Sequence, residues 1–178
     1  MYAHIEPLTS GPGPCRDQPA AGWVTIRELR GPAATRITLF DGTPGLATDT
    51  YQVMAIETGT AGGQQPTHAR IAYFDGPRAP EQAAAEDFAG RQRLLPAVRD
   101  LSGLVSVWAL RGPQFASVVC TLTTSLAALD AVTRTVMATG LLAGEDAALL
   151  PGPDRVQTHQ VTGYQLAAQT AFPAGGWR

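Results

Sequence analysis

His159 is the residue of this 178-residue chain whose chemistry stands out most. It lies in a run rich in Val and Thr that is typical of a β-strand, where it shares one face with Gln157 and Val161. An imidazole has an intrinsic pKa close to neutrality, so His159 suits proton transfer if this face lines a pocket. The alternative is a partly exposed strand histidine that is hydrogen-bonded to a neighbour.

Trp108 is the second candidate for catalysis. Its indole is large and apolar, which favours the core, but the same ring is suited to stack against a flat substrate as a pocket wall. Three weaker candidates for a substrate pocket are Tyr73, Cys120 and Arg91. Each also has a simpler role: the tyrosine packs with its hydroxyl satisfied, the cysteine is a small strand hydrophobe, and the arginine is a solvated helix charge.

The usual motifs for cofactors, metals and activated nucleophiles are absent. The sequence has no P-loop, no HExxH, no GxSxG and no Rossmann glycine pattern, so we expect no bound cofactor. His4, His68 and His159 lack the spacing of metal ligands on one helix, so we expect no metal either. Cys15 and Cys120 form no CxxC pair, and a structural disulfide is not expected.

Charge and hydropathy exclude several classes of partner. A net charge of −2 without basic clusters argues against nucleic acid or an anionic membrane as a partner. No apolar run reaches the roughly 20 residues that cross a bilayer, and the first residues lack the pattern of a signal peptide. We therefore expect a cytoplasmic protein.

Six elements between residues 69 and 164 position the candidate residues. Hydrophobic periodicity and turn signals predict strands at 69–75, 104–111, 115–122 and 155–164, a helix from 80 that Pro96 kinks or ends, and a helix at 126–140. The order βαββαβ is that of an α+β, ferredoxin-like unit, with a four-stranded antiparallel sheet and both helices on one face.

Both faces of the predicted sheet are apolar. In the strand at 104–111, alternation places Leu104, Ser106, Trp108 and Leu110 on one face and Val105, Val107 and Ala109 on the other. Because the helices cover a single face, the second needs a partner, and a large apolar patch usually marks association or a ligand site. We expect a homodimer through this open face, unless the N-terminal half fills that place.

The N-terminal half contains an internal repeat. Residues 22–32 match residues 103–113 at an offset of 81, with Gly, Val, Leu, Arg, Gly and Pro identical. The alternative is chance similarity between strand-turn-strand segments. A true repeat predicts three strands within 22–58 that pack on the C-terminal unit, as a partial second half-barrel that has lost its helix.

This division predicts four segments. They are a flexible lead at 1–21, a β-rich half-repeat with a flexible linker at 22–65, the ferredoxin-like unit at 66–165 and a C-terminal tail at 166–178.

Two stretches carry a resemblance to a known family. They are the strand-turn-strand that leads into Ser125-Leu-Ala-Ala-Leu129, and Phe74-Asp-Gly-Pro-Arg-Ala-Pro-Glu-Gln-Ala83. With the element order, they make residues 69–164 resemble the dimeric α+β barrel proteins, most closely their antibiotic-biosynthesis monooxygenase-like domains. The resemblance implies two sheets that face each other around a pocket. Many members have a Trp just before the second helix and a His inside it, where this chain has Leu122-Thr-Thr-Ser-Leu-Ala-Ala-Leu-Asp130.

Three functions remain open from the sequence. The resemblance implies a cofactor-independent, monooxygenase-like enzyme of specialised metabolism that acts on a small hydrophobic substrate of aromatic or polyketide type. A cyclase or isomerase of the same fold would use His159 to move protons. The third is a non-catalytic ligand-binding or structural dimer, which the missing Trp and His favour.

Overall fold

Eight strands dominate the molecule. The computed structural model describes residues 1–8, 20–29, 32–41 and 50–166. The strands are β1 (Tyr2–Pro7), β2 (Ala20–Glu28), β3 (Ala34–Phe40), β4 (Thr50–Thr58), β5 (His68–Phe74), β6 (Leu104–Arg111), β7 (Ser117–Thr123) and β8 (Arg155–Leu166). Each is antiparallel to its neighbours, and together they form a closed barrel in the order β1-β3-β2-β8-β5-β7-β6-β4.

Helices pack on the C-terminal half of the barrel. α1 (Pro80–Ala89) passes through a π-helical turn at Gly90–Leu94 into α2 (Leu95–Val98), and α3 (Leu126–Ala138) follows β7. Pro96 has no N–H to donate, and it lies at the start of α2, directly after the π-helical turn. The helix therefore changes from α to π geometry before Pro96 and continues for one more turn, where the sequence predicted a kink or an end. None of the described helices is long and apolar enough to cross a membrane.

The C-terminal half is an antiparallel sheet with helices on its outer side. Its strand order is β8-β5-β7-β6. Ser125 begins α3, and its side-chain oxygen accepts a hydrogen bond from the N–H of Ala128. A small core between helices and sheet contains Val98, Leu104, Val107 and Val132. The α+β class and the antiparallel sheet expected from the sequence are therefore present.

The N-terminal half repeats this strand order without the helices between its described strands. The three strands expected within 22–58 are present as β2, β3 and β4, and the order β4-β1-β3-β2 has the same arrangement as β8-β5-β7-β6. The fourth strand, β1, corrects the prediction of a flexible lead at 1–21. It pairs with β3 on one side and with β4 on the other, and Ala3 is fully buried. Residues 9–19 lie outside the described part of the chain.

The two halves close on one core. β2 pairs with β8 along one seam, and β4 pairs with β6 along the other. The main core cluster takes residues from both halves: Ala3, Ala21, Val24, Ile26, Ile37, Leu39, Val53, Ile56, Ala61, Ala69, Ile71, Val105, Trp108, Leu110, Val118, Cys120 and Leu122. The sheet face that suggested a homodimer is thus covered by the N-terminal strands of the same chain.

The segment 59–65 is a hydrogen-bonded turn that packs through its first residues, where a flexible linker was predicted. The N–H of Gly59 donates to the carbonyl of Val105, and the N–H of Ala61 donates to that of Leu104. Ala61 is 4% exposed and joins the main core. A Cβ at Gly59 would lie 2.4 Å from the Leu104 carbonyl oxygen, so this approach of two backbones requires glycine.

A β-bulge changes which residues of β6 face the barrel interior. The register of β6 against β7 shifts between Leu104 and Ser106. As a result Val105 joins the barrel core while Leu104 packs under the helices, the reverse of the simple alternation expected for these two residues. Trp108 and Leu110 face the interior together, as the alternation predicts.

The stretch at 74–83 that resembles a known family has a structural role. The backbone N–H of Asp75 donates to the Asp154 carboxylate over 2.9 Å, and Arg78 is ion-paired with the same carboxylate. Glu86 of α1 lies 3.9 Å from Arg78. These contacts fasten the start of α1 to the loop before β8.

We expect the barrel to unfold as one unit, because its core is shared by both halves. Ile37 of β3 and Ile71 of β5 are both fully buried. Ile37→Ala and Ile71→Ala should each lower the free energy of unfolding by about 2–5 kcal/mol with a single transition in urea. A second transition in the Ile37→Ala protein, absent from the matched Ile71→Ala protein, would show that the N-terminal half unfolds separately.

Candidate active site inside the barrel

His159 lies near the middle of β8 and faces the barrel interior. Its Cα partner on β5 is Ala69, a member of the main core, and Val161 on the same face of β8 packs against that core. His159 is 2% exposed, and neither ring nitrogen has a hydrogen-bond partner. Burial lowers the pKa of its imidazole, and the nearby Glu28 charge opposes this effect. His159 is therefore a buried neutral base, not the hydrogen-bonded surface histidine of the alternative interpretation.

Trp108 is at the centre of the interior. Its ring is fully buried and stacks against Tyr164, with ring centroids 6.4 Å apart and planes inclined by 29°. The indole N–H donates to Ser106 Oγ over 3.0 Å, and Ser106 in turn donates to the carbonyl of Glu57. Trp108 thus offers a flat apolar surface, and its single polar atom is already satisfied.

Tyr73 stands at the end of β5 and packs against the same core while remaining half-buried. The Arg155 guanidinium lies 3.7 Å from the centre of its ring. Burial raises the pKa of the Tyr73 hydroxyl, and the Arg155 charge acts in the opposite direction. Tyr73 is therefore in contact with both the core and solvent, so it lies at the boundary of the barrel interior.

Cys120 is a buried thiol on β7, opposite both Trp108 and Ile71. It is fully buried, and burial raises its pKa to about 12. A thiol in this state is protonated at neutral pH, so Cys120 lines the interior as a small apolar group and is not an activated nucleophile.

Arg91 lies elsewhere. It belongs to the π-helical turn after α1, and its side chain donates to the carbonyl of Asp87 over 3.1 Å. Of the five predicted site residues, four thus face or contact the barrel interior: His159, Trp108, Tyr73 and Cys120. Arg91 does not.

A separate open depression lies outside the barrel. It has a volume of about 350 Å³ and is lined by Thr60, Ala61, Gln64, Asp100, Ser102, Gly103 and Thr124. None of the predicted site residues lines it. Among the described residues, no group of three or more His, Cys, Asp and Glu side chains is placed to hold a metal ion.

Three interior residues were not predicted from the sequence. Tyr164 stacks on Trp108, Tyr51 of β4 packs against the main core, and Glu28 of β2 is the cross-strand partner of His159. Tyr51 and Glu28 belong to the N-terminal half and enter the site only because the seams close. The internal repeat is the sequence signal that points to those seams.

No protein-family model matches the sequence, and no curated protein matches it either. Solved structures do. One is an uncharacterised ferredoxin-fold protein related to antibiotic biosynthesis monooxygenases from Listeria monocytogenes, with a TM-score of 0.58 and 8% identity over 91% of this chain and 94% of that chain. The chain has the fold of the antibiotic-biosynthesis monooxygenase-like proteins.

Two further structures have the same fold. An anthrone oxidase-like protein gives a TM-score of 0.55 and 12% identity, covering 94% of this chain and 96% of that chain. A major regulator of staphylococcal pathogenesis gives 0.57 and 12%, covering 90% and 98%. Coverage of this extent includes both halves of the barrel, so the two-half architecture within one chain is common to these structures. An oxidase-like protein and a regulator share it, so the fold does not fix the function.

We expect the stability of the protein to depend on pH through His159. Because burial lowers its pKa, the unfolded chain binds a proton near pH 6.5 that the folded protein does not, so stability falls as the pH decreases below about 6.5, by at most about 1.4 kcal/mol per pH unit. Urea unfolding between about pH 5 and 8 measures this slope. His159→Leu should flatten it. An unchanged slope in the His159→Leu protein would identify another group as its source.

We expect Cys120 to be unreactive in the folded protein. In a Cys15→Ser background, a thiol reagent at about pH 8 should label Cys120 only after unfolding, because the thiol is buried and protonated. Rapid labelling of the folded protein would mean that the interior around Trp108 opens to solvent.

Proposed function

We propose that the protein is a small-molecule enzyme of specialised metabolism, a monooxygenase-like oxidase without a bound organic cofactor that acts on an aromatic or polyketide-type substrate inside the barrel. The observation that carries the proposal is His159, a buried base with two unpaired ring nitrogens. An unpaired buried polar group costs free energy, so its retention in an apolar interior favours a chemical role.

The surroundings of His159 suit a flat, apolar substrate. An eight-stranded barrel has an interior that side chains fill or that holds one small ligand. On the same interior face of the barrel, Trp108 and Tyr164 supply a stacked aromatic surface, and Cys120, opposite Trp108, adds a small neutral side chain. Tyr73 and Tyr164 are both half-buried, which supports an approach for substrate from outside.

His159 would begin the reaction by removing a proton. An anthrone-type substrate has a CH₂ group between aromatic rings and opposite a ring carbonyl, and loss of a proton from it gives a delocalised carbanion. Transfer of electrons from this carbanion to O₂ oxidises the CH₂ group to C=O. One oxygen atom enters the product and the other leaves as water, which also receives the two hydrogens. A general base has to be unprotonated at the working pH. Because burial lowers the pKa of His159, its imidazole is neutral and can accept the proton of the first step.

Oxygen consumption with an anthrone tests this proposal. We expect the wild-type protein to consume one O₂ per substrate oxidised, and His159→Gln to lower kcat by about 10²–10⁴-fold. His68→Gln is the matched control, because His68 lies on the opposite face of β5 from Ala69, and it should keep the wild-type rate. Equal rates in His159→Gln and wild type would contradict the role of His159.

The same assay without oxygen separates the alternatives. A cyclase or isomerase that uses His159 would convert its substrate equally well under nitrogen, whereas the proposed oxidase would stop. Product formation under nitrogen that depends on His159 would replace the oxidase by the cyclase.

One observation favours a non-catalytic ligand-binding or structural role. Trp108 and Cys120 are fully buried, and the indole N–H is already hydrogen-bonded, so the centre of the interior is packed. A protein of this kind would bind an apolar aromatic compound with quenching of Trp108 fluorescence and no turnover, or would not bind it at all.

A homodimer stays a prediction. The open sheet face that motivated it is covered by the N-terminal strands, so association would have to use other surfaces. Sedimentation equilibrium of the full chain at micromolar concentration measures the oligomeric state directly.

A further inference from the structure

Glu28 is the last residue of β2, and its Cα partner across the β2–β8 seam is His159. Directly opposed residues of an antiparallel pair point to the same face, with their Cβ atoms about 4.5–5.5 Å apart. Ile26, two residues earlier on β2, belongs to the main core. The Glu28 side chain therefore leaves the strand on the interior face, beside the imidazole.

Glu28 stands out among the groups around His159. From β5, Ala69 and Ile71 face the imidazole, while the charged Arg70 lies on the other face with Thr158 and α3. On β8 itself the neighbours on the same face are the neutral Gln157 and Val161. Within the described part of the chain, Glu28 is the charged residue that these strands place against His159.

The second seam shows that closure does not need such a pair. Across β4 and β6 the inward-facing pairs Ile56 with Trp108 and Val53 with Leu110 are apolar. A third pair on this face, Thr58 with Ser106, is polar but carries no charge. The pairing of a carboxylate with a histidine at one seam alone thus favours a role in chemistry.

We propose that Glu28 is the positioning residue of His159: when the imidazole takes up a proton, the Glu28 carboxylate accepts a hydrogen bond from one ring nitrogen and keeps the other directed at the substrate. This inference rests on the function proposed above. The proton comes from the substrate carbon and leaves with the water that is formed, so Glu28 takes no part in the proton transfer itself. The charge of Glu28 also raises the pKa of His159 against the effect of burial.

The experiment is an NMR titration of the histidine ring protons in the full chain. His4, His68 and His159 are assigned by replacing each with Gln in turn. We expect Glu28→Gln, which removes the charge and keeps the shape, to lower the pKa of His159 by about one pH unit. Glu28→Asp keeps the negative charge on a side chain that is one methylene shorter, so the carboxylate lies further from the imidazole. It should lower the pKa of His159 by less than Glu28→Gln does.

Glu6→Gln is the matched control. Glu6 is also a strand glutamate of the N-terminal half beside a histidine, 4.0 Å from His4. It should leave the titration of His159 unchanged. An unchanged His159 pKa in Glu28→Gln, or the same shift in Glu6→Gln, would overturn the inference.

Turnover separates this inference from the proposed function. If the wild-type protein oxidises an anthrone, we compare its pH–rate profile with that of Glu28→Gln. The acidic limb should move by the same amount as the pKa of His159. A limb that does not move would overturn the positioning role. If the wild-type protein shows no turnover, the proposed function fails, while the titration still decides whether Glu28 governs the protonation of His159.

Discussion

The backbone hydrogen bonds of two seams hold the whole structure in place. A four-stranded sheet with helices on one side has two unpaired edges and one open face. The C-terminal half alone would expose both edges and this face. The pairings of β2 with β8 and of β4 with β6 remove these edges together and convert the open face into an interior. The burial of Trp108 and Cys120 and the desolvation of His159 all follow from this closure.

Inside the closed barrel, polar groups fall into two kinds. Trp108 and Ser106 satisfy each other and end on the carbonyl of Glu57, as buried polar groups normally do. His159 has no such partner on either ring nitrogen. The contrast between these two groups within one core is the strongest physical argument for a reactive site.

Local elements of the fold could be predicted from the sequence, and long-range ones could not. The helix α3 has apolar residues at helical spacing after three possible N-caps, Thr123, Thr124 and Ser125, of which Ser125 is the one used. β1 is six residues long and has a weak alternating pattern, and it is a strand because β3 and β4 lie on both sides of it. Alternation placed Trp108 correctly but failed at Leu104 and Val105, where a bulge intervenes. The pairing of Glu28 with His159 depends on register across a seam between distant segments, which no local pattern encodes.

The covalent union of two half-barrels has a consequence for symmetry. In a barrel assembled from two identical copies, every interior side chain occurs twice, and a substitution made for one purpose is imposed at two places. Here the halves share an arrangement of strands but differ in sequence, so a histidine on β8 need not have a counterpart on β4. The buried imidazole of His159 therefore occurs once, at the β2–β8 seam. The β4–β6 seam has aliphatic and aromatic partners that close the barrel on the other side. The single chain can therefore place an ionisable pair at one seam and leave the other without one, which identical copies cannot do.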